Sequence, residues 1–157
     1  MKLARVGLMA ATILAVATIA WAQKPDFSGT WTLDPASAPA GGGGGRGGGG
    51  GALGNGPATV KQTADALTVQ RTSGGSQVTL TYKLDGSDSR NVMTGPGGVE
   101  IDSMSNVKWD GPKLTIVTKM EMAGQVMTST QVWTLAGSTL TVDTTSPRGT
   151  QTRVYKK

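Results

Sequence analysis

The chain predicts an all-β protein, an antiparallel up-and-down meander of about nine strands that curls into a barrel or half-barrel. Three observations carry this. From Ala58 onward apolar and polar residues alternate in short runs, the period of a half-buried strand, and no window shows helical periodicity. Glycine-bearing turn signals separate the runs at Gly74-Gly75, Asp110-Gly111, Ala123-Gly124, Ala136-Gly137 and Arg148-Gly149. Connections this short force neighbouring strands to be antiparallel and favour a meander over a Greek key, leaving a two-sheet sandwich as the alternative.

Taken in order, residues 1–22 read as a secretory signal peptide. Lys2 and Arg5 precede an apolar run from Val6 to Ile19, and Ala20-Trp21-Ala22 forms a small-x-small cleavage site. The run is short for a membrane span, so the expected product is an exported protein, periplasmic or extracellular and not membrane-spanning. Residues 23–157 then form a single β domain, opened by the strand Phe27 to Leu33, FSGTWTL. Residues 36–57 interrupt it with a glycine-rich stretch that has almost nothing to bury, and a disordered loop is expected there. The remaining strands are expected at 58–63, 66–72, 76–84, 99–109, 113–121, 125–135, 139–145 and 150–156. Every second residue supplies an apolar face that includes Trp31, Leu67, Val69, Leu80, Tyr82, Val107, Trp109, Leu114, Ile116, Trp133, Leu140 and Val142. The other face is threonine, lysine and glutamine, as in a sheet with one dry and one wet side.

Composition excludes whole classes of chemistry. The chain has no histidine and no cysteine, which removes Ser-His-Asp catalysis, cysteine nucleophiles, histidine-ligated zinc and disulfides together. With Lys2 and Arg5 removed along with the leader, 13 basic residues face 10 acidic ones. They are scattered without interleaved aromatics, a pattern that does not suit nucleic acid, and Arg46 alone among the glycines reads as spacer. Ser105 and Lys108 match an S-x-x-K spacing, but three residues along a strand points them to opposite faces. Glu100 and Asp102 share a face and read as an edge-protecting charge cluster. The run Asp85-Gly86-Ser87-Asp88-Ser89 has oxygen ligands at alternate positions but lacks the closing bidentate carboxylate of a calcium loop, so it reads as a turn. Met104, Met120, Met122 and Met127 read as core filler rather than copper ligands. No enzyme, metal or cofactor is expected.

Three separated pieces resemble the lipocalin and fatty-acid-binding protein superfamily: Gly29-Thr30-Trp31 on the opening strand, Lys108-Trp109-Asp110-Gly111 late in the chain, and Thr152 to Lys157 at the end. The resemblance implies a lipocalin-like barrel, with Gly29 and Trp31 in its closure. It also implies that Arg153 and Tyr155, an Arg-x-Tyr pair on the last strand, hold a ligand carboxylate. The polyglycine stretch stands where that family carries two short helices. The chain is also similar in texture to exported bacterial proteins that open with DFSGTW.

Physical reading leaves Arg153 two roles. Facing inward with Tyr155, it offers a guanidinium fork to a buried carboxylate; alternatively it stacks over Trp31 and closes one end of the barrel. Arg71, on the face of Leu67 and Val69, raises the same question. Two function classes follow. One is a secreted or periplasmic lipocalin-like protein that binds a small hydrophobic or amphipathic ligand such as a fatty acid, without catalysis. The other is a cell-envelope structural or interaction module with a packed core, no ligand cavity and an envelope partner. Inward placement of Gln62, Arg71, Ser103, Thr118, Gln131 and Arg153 favours the first.

Overall fold

The computed structural model describes residues 24–38, 51–94, 98–122 and 124–157. The leader at 1–22 and the central glycines at 39–50 lie outside the described residues. Alternating sequence becomes strand almost wherever it occurs: β1 (Gly29–Leu33), β2 (Ala58–Gln62), β3 (Ala66–Ser73), β4 (Ser76–Lys83), β5 (Ser89–Thr94), β6 (Glu100–Asp110), β7 (Lys113–Met122), β8 (Gln125–Ala136), β9 (Thr139–Ser146) and β10 (Gly149–Lys156). A 3-10 turn at Pro35–Ser37 follows β1, with Asp34 as its cap accepting the Ala36 N–H at 3.0 Å.

The strands form one antiparallel sheet in the order β4-β3-β2-β1-β10-β9-β8-β7-β6-β5. Every strand pairs with its sequence neighbours except β4 with β5, and the pairing of Leu33 with Tyr155 joins the first strand to the last. One continuous sheet of this kind excludes the two-sheet sandwich. It is an up-and-down barrel open along a single seam, where β4 and β5 meet without a backbone ladder. Side chains bridge that seam. Asn91 accepts the Thr81 N–H at 2.7 Å and donates to the Thr81 carbonyl at 3.0 Å, and Ser89 accepts the Lys83 N–H at 2.8 Å. The Asn91 amide therefore substitutes for a peptide group of the missing ladder.

β5 is one strand more than the sequence reading expected. Its inward positions begin with Ser89 and Asn91, both buried, so the apolar alternation that marks the other strands is missing where β5 emerges from the Asp85 turn. The reading of 36–57 as wholly disordered is also corrected at both ends. Pro35–Ser37 is tied to the barrel through Ser37, which accepts the Val154 N–H at 2.9 Å, and Ala52 and Leu53 are buried in the core. Two apolar side chains and their backbone partners suffice to hold the last residues of a glycine-rich stretch.

The core lies inside the barrel. Trp31, Trp133, Leu67, Val69, Leu114, Ile116 and Leu140 are fully buried there, together with Phe27 and Leu53 from outside the strands. The outer wall is mostly exposed threonine, lysine and glutamine. This is the reverse of a lipid-facing barrel, which turns its apolar residues outward. Among the described residues no helix is long and apolar enough to cross a membrane.

Candidate functional site

One end of the barrel is closed by the residues before β1. Phe27 donates its N–H to Gln62, the last residue of β2, at 3.0 Å, and the Gln62 amide donates to the Pro25 carbonyl at 3.0 Å. The Phe27 ring stacks on Trp109 and meets Trp133 edge-on, with centroids 6.1 and 5.6 Å apart. Trp31 donates its indole N–H to the Phe27 carbonyl at 2.8 Å. Lys157 lies 4.9 Å over the Trp31 ring and Lys24 lies 5.2 Å over Trp109. The stem of Lys157 passes across Gly29, whose φ of +141° favours glycine and where a Cβ would come within 2.7 Å of Lys157 Cε. In the Gly-x-Trp motif, then, the glycine admits the cation that covers the tryptophan two residues on. Lys157 takes the place over Trp31 that the closure reading gave to Arg153. Arg153 stays inside.

The chemistry collects toward the other end of β2. Arg71 pairs in register with Ala58, the first residue of that strand, and points inward. Its Nε donates to the Ala52 carbonyl at 3.0 Å. The Tyr155 hydroxyl donates to the Gly54 carbonyl at 2.8 Å, and Gln131 Oε1 accepts the Ala52 N–H at 3.1 Å. Residues Gly51 to Gly54 are therefore held between β8, β3 and β10 by three wall side chains. Arg153, on the same inward face as Tyr155, is only 5% exposed. Its Nη2 donates to Gln151 at 3.1 Å, while its Nε is buried with no hydrogen-bond partner among the described residues. Both described ion pairs, Arg90 with Asp102 and Lys156 with Asp34, are made by exposed or half-buried side chains on the outer wall.

Tyr82 and Tyr155 complete this group. Burial raises both phenol pKa values; Arg71 opposes the rise at Tyr82, and Arg153 and Arg71 oppose it at Tyr155. Burial in turn pulls the Arg71 guanidinium below its ordinary value, with both phenols opposing. Of the positions chosen in the sequence as tests of an inward polar face, Ser103, Thr118, Gln131 and Arg153 are buried, while Gln62 and Arg71 are half-buried. Ser89, Asn91 and Ser105 extend that polar lining. The sequence reading missed Ser89, Asn91 and the Ala52 to Gly54 contacts. Their only sequence signal was a polar residue at an inward strand position and an Ala-Leu pair among glycines.

Ser105, Asp102, Asp85 and Asp88 are each engaged by neighbouring side chains. Ser105 is inside, hydrogen-bonded to Thr118 at 2.9 Å, and Lys108 is exposed. Asp102 is engaged outside by Arg90 at 2.6 Å. Asp85 takes both the N–H and the hydroxyl of Ser87 at 2.8 and 2.7 Å, and Asp88 accepts from Asn106. Those oxygens are committed to a turn, and among the described residues no group of three acidic side chains gathers to hold a metal.

Strand order, register and the single side-chain-bridged seam settle the architecture. The fold is an antiparallel up-and-down barrel of ten strands among the described residues. No protein-family model matches the chain, and no curated protein matches it. Similar solved structures include an asparagine-to-alanine mutant of the fluorescent protein UnaG, at 21% identity and TM-score 0.49 over 64% of this chain and 70% of that one. Apo lipid binding protein 8 of Caenorhabditis elegans is similar at 15% identity and TM-score 0.45, over 64% and 69%. Secretory abundant heat soluble protein 4 of Ramazzottius varieornatus is similar at 24% identity and TM-score 0.48, over 68% and 74%.

Proposed function

We propose that this protein is an exported, non-catalytic barrel that binds a small amphipathic anion, a fatty acid or an acid of similar form, at the inward face of β3, β8 and β10. The observation that carries the reading is the buried guanidinium of Arg153. A cation withdrawn from water costs several kcal/mol unless it is paired, on the order of the penalties known for buried ions. Among the described residues it has one neutral amide oxygen, the adjacent Tyr155 phenol and an unpartnered Nε. A carboxylate placed between Arg153, Tyr155 and Arg71 supplies the missing acceptor, and two guanidinium groups with a phenol suit its geometry. The apolar residues around them, Leu67 and Val69 among them, receive an aliphatic chain. Export follows from the leader-like residues 1–22, and the absence of histidine and cysteine supports a binding rather than a catalytic role.

The test is binding of oleate to the purified mature protein above the pKa of the acid. Arg153→Ala is expected to weaken binding by about tenfold or more, the scale of a lost charge-assisted pair, while the thermal transition persists. Native mass spectrometry of protein purified from the producing cell is expected to show a co-purified acid.

The fully buried aromatic floor favours a second reading, the envelope module with a packed core. It predicts no bound acid and no oleate binding, and Arg153→Ala would then act on stability alone.

A further inference from the structure

We propose that residues Gly51 to Gly54 are a tethered competitor for the barrel's own ligand, an autoinhibitory segment that must leave the site before an acid can enter. The proposal rests on the ligand-binding reading above. The segment has the form of the ligand it would exclude. Two carbonyl oxygens, of Ala52 and Gly54, accept from Arg71 Nε at 3.0 Å and from the Tyr155 hydroxyl at 2.8 Å. Between them Leu53, 1% exposed, supplies an aliphatic side chain to the core. The site's donors are thus engaged by neutral peptide oxygens, for which a carboxylate, the stronger acceptor of a guanidinium hydrogen bond, is a natural replacement.

The glycines make the fit possible. Gly51 and Gly54 have φ of +56° and +69°. A Cβ on Gly51 would come within 2.9 Å of Gln131 Oε1, and one on Gly54 within 3.1 Å of Arg71 Nη1. Only a bare backbone approaches these two wall side chains so closely. The segment is nevertheless weakly tied compared with a strand. Three hydrogen bonds to side chains and two small apolar anchors hold it, without a ladder, and such elements open at lower free energy than laddered core. A site available only when the segment is out shows an affinity reduced by the fraction of time it is out, so loosening the segment raises apparent affinity.

The experiment combines a variant with a measurement on the parent protein. Leu53→Ser removes the apolar anchor and leaves Arg71, Tyr155, Gln131 and Arg153 in place; Gly54→Ala, which crowds Arg71, serves if the first variant fails to fold. Oleate affinity is expected to rise roughly tenfold in the variant. In the parent, hydrogen exchange at the Ala52 amide, held by Gln131, is expected to speed up when oleate is added, while amides of β6 to β8 keep their protection. Binding by the variant alone supports the proposal as well. Oleate binding to the parent with unchanged or stronger protection at Ala52, and no gain in the variant, overturns it and leaves the ligand reading standing, with the segment as part of the wall. If neither parent nor variant binds oleate, the ligand reading fails and the proposal falls with it.

Discussion

At the scale of single residues, Gly29 serves the closed end of the barrel while Arg153 is a cation buried inside it. Gly29 combines a positive φ with the close passage of Lys157, so its replacement strains the backbone and displaces a cation from Trp31. Gly29→Ala is expected to cost about 1–3 kcal/mol, the range for a side chain forced into a sparsely populated backbone region. Lys157→Ala, which removes only an exposed cation–π contact, is expected to cost less, about 0.5–1 kcal/mol. Denaturant unfolding followed by tryptophan fluorescence compares the two; equal losses would assign the glycine's role to the cation rather than to the backbone. Arg153 is the opposite case, a buried cation with no acidic partner among the described residues. Neighbouring Gln151 satisfies one nitrogen, and Nε has no hydrogen-bond partner among the described residues.

At the scale of elements, the seam between β4 and β5 is where this barrel departs from a closed ladder. Asn91 replaces a peptide group there, and Thr81, its partner, is exposed on its side-chain face. Asn91→Ala is expected to speed exchange of the Thr81 amide strongly, with little effect on β6 to β8, whose paired residues run from Ser103 to Trp133. Hydrogen exchange resolved by residue checks this, and equal loss of protection across the sheet would show that Asn91 supports the whole barrel. The same seam explains why β5 escaped the sequence reading. Its first two inward residues, Ser89 and Asn91, are polar because they bridge a strand edge, and Met93 alone is too little of the hydrophobic alternation used to find strands. The reverse holds for Ala52 and Leu53, which the composition of their surroundings concealed.

At the scale of the whole molecule, both tyrosines of the chain are inside the barrel and both phenols are raised by burial. The unfolded chain loses its phenol protons near pH 10, whereas the folded one retains them. The stability they confer is therefore complete below that pH and is lost as pH rises above it. Absorbance titration is expected to show no phenolate near pH 10 until the barrel unfolds; a tyrosine that ionises normally in folded protein would contradict the inward placement. At the acid end the sign reverses. A hydrogen bond from Lys156 to Asp34, and one from Arg90 to Asp102, hold these carboxyls below their ordinary range, so their contribution fades as pH falls through it. The β class, most strand positions, the turns and the apolar face could be read from the order of residues, because alternation and turn chemistry act within a few residues of each other. Ser89 with Lys83, Arg71 with Ala52 and Tyr155 with Gly54 could not, since the last two pairs join residues 19 and 101 positions apart. Local sequence thus dictates which face of each strand is dry. Closure of the sheet determines which side chains meet across the interior, and only that meeting joins Arg71 and Tyr155 to a short glycine-flanked segment.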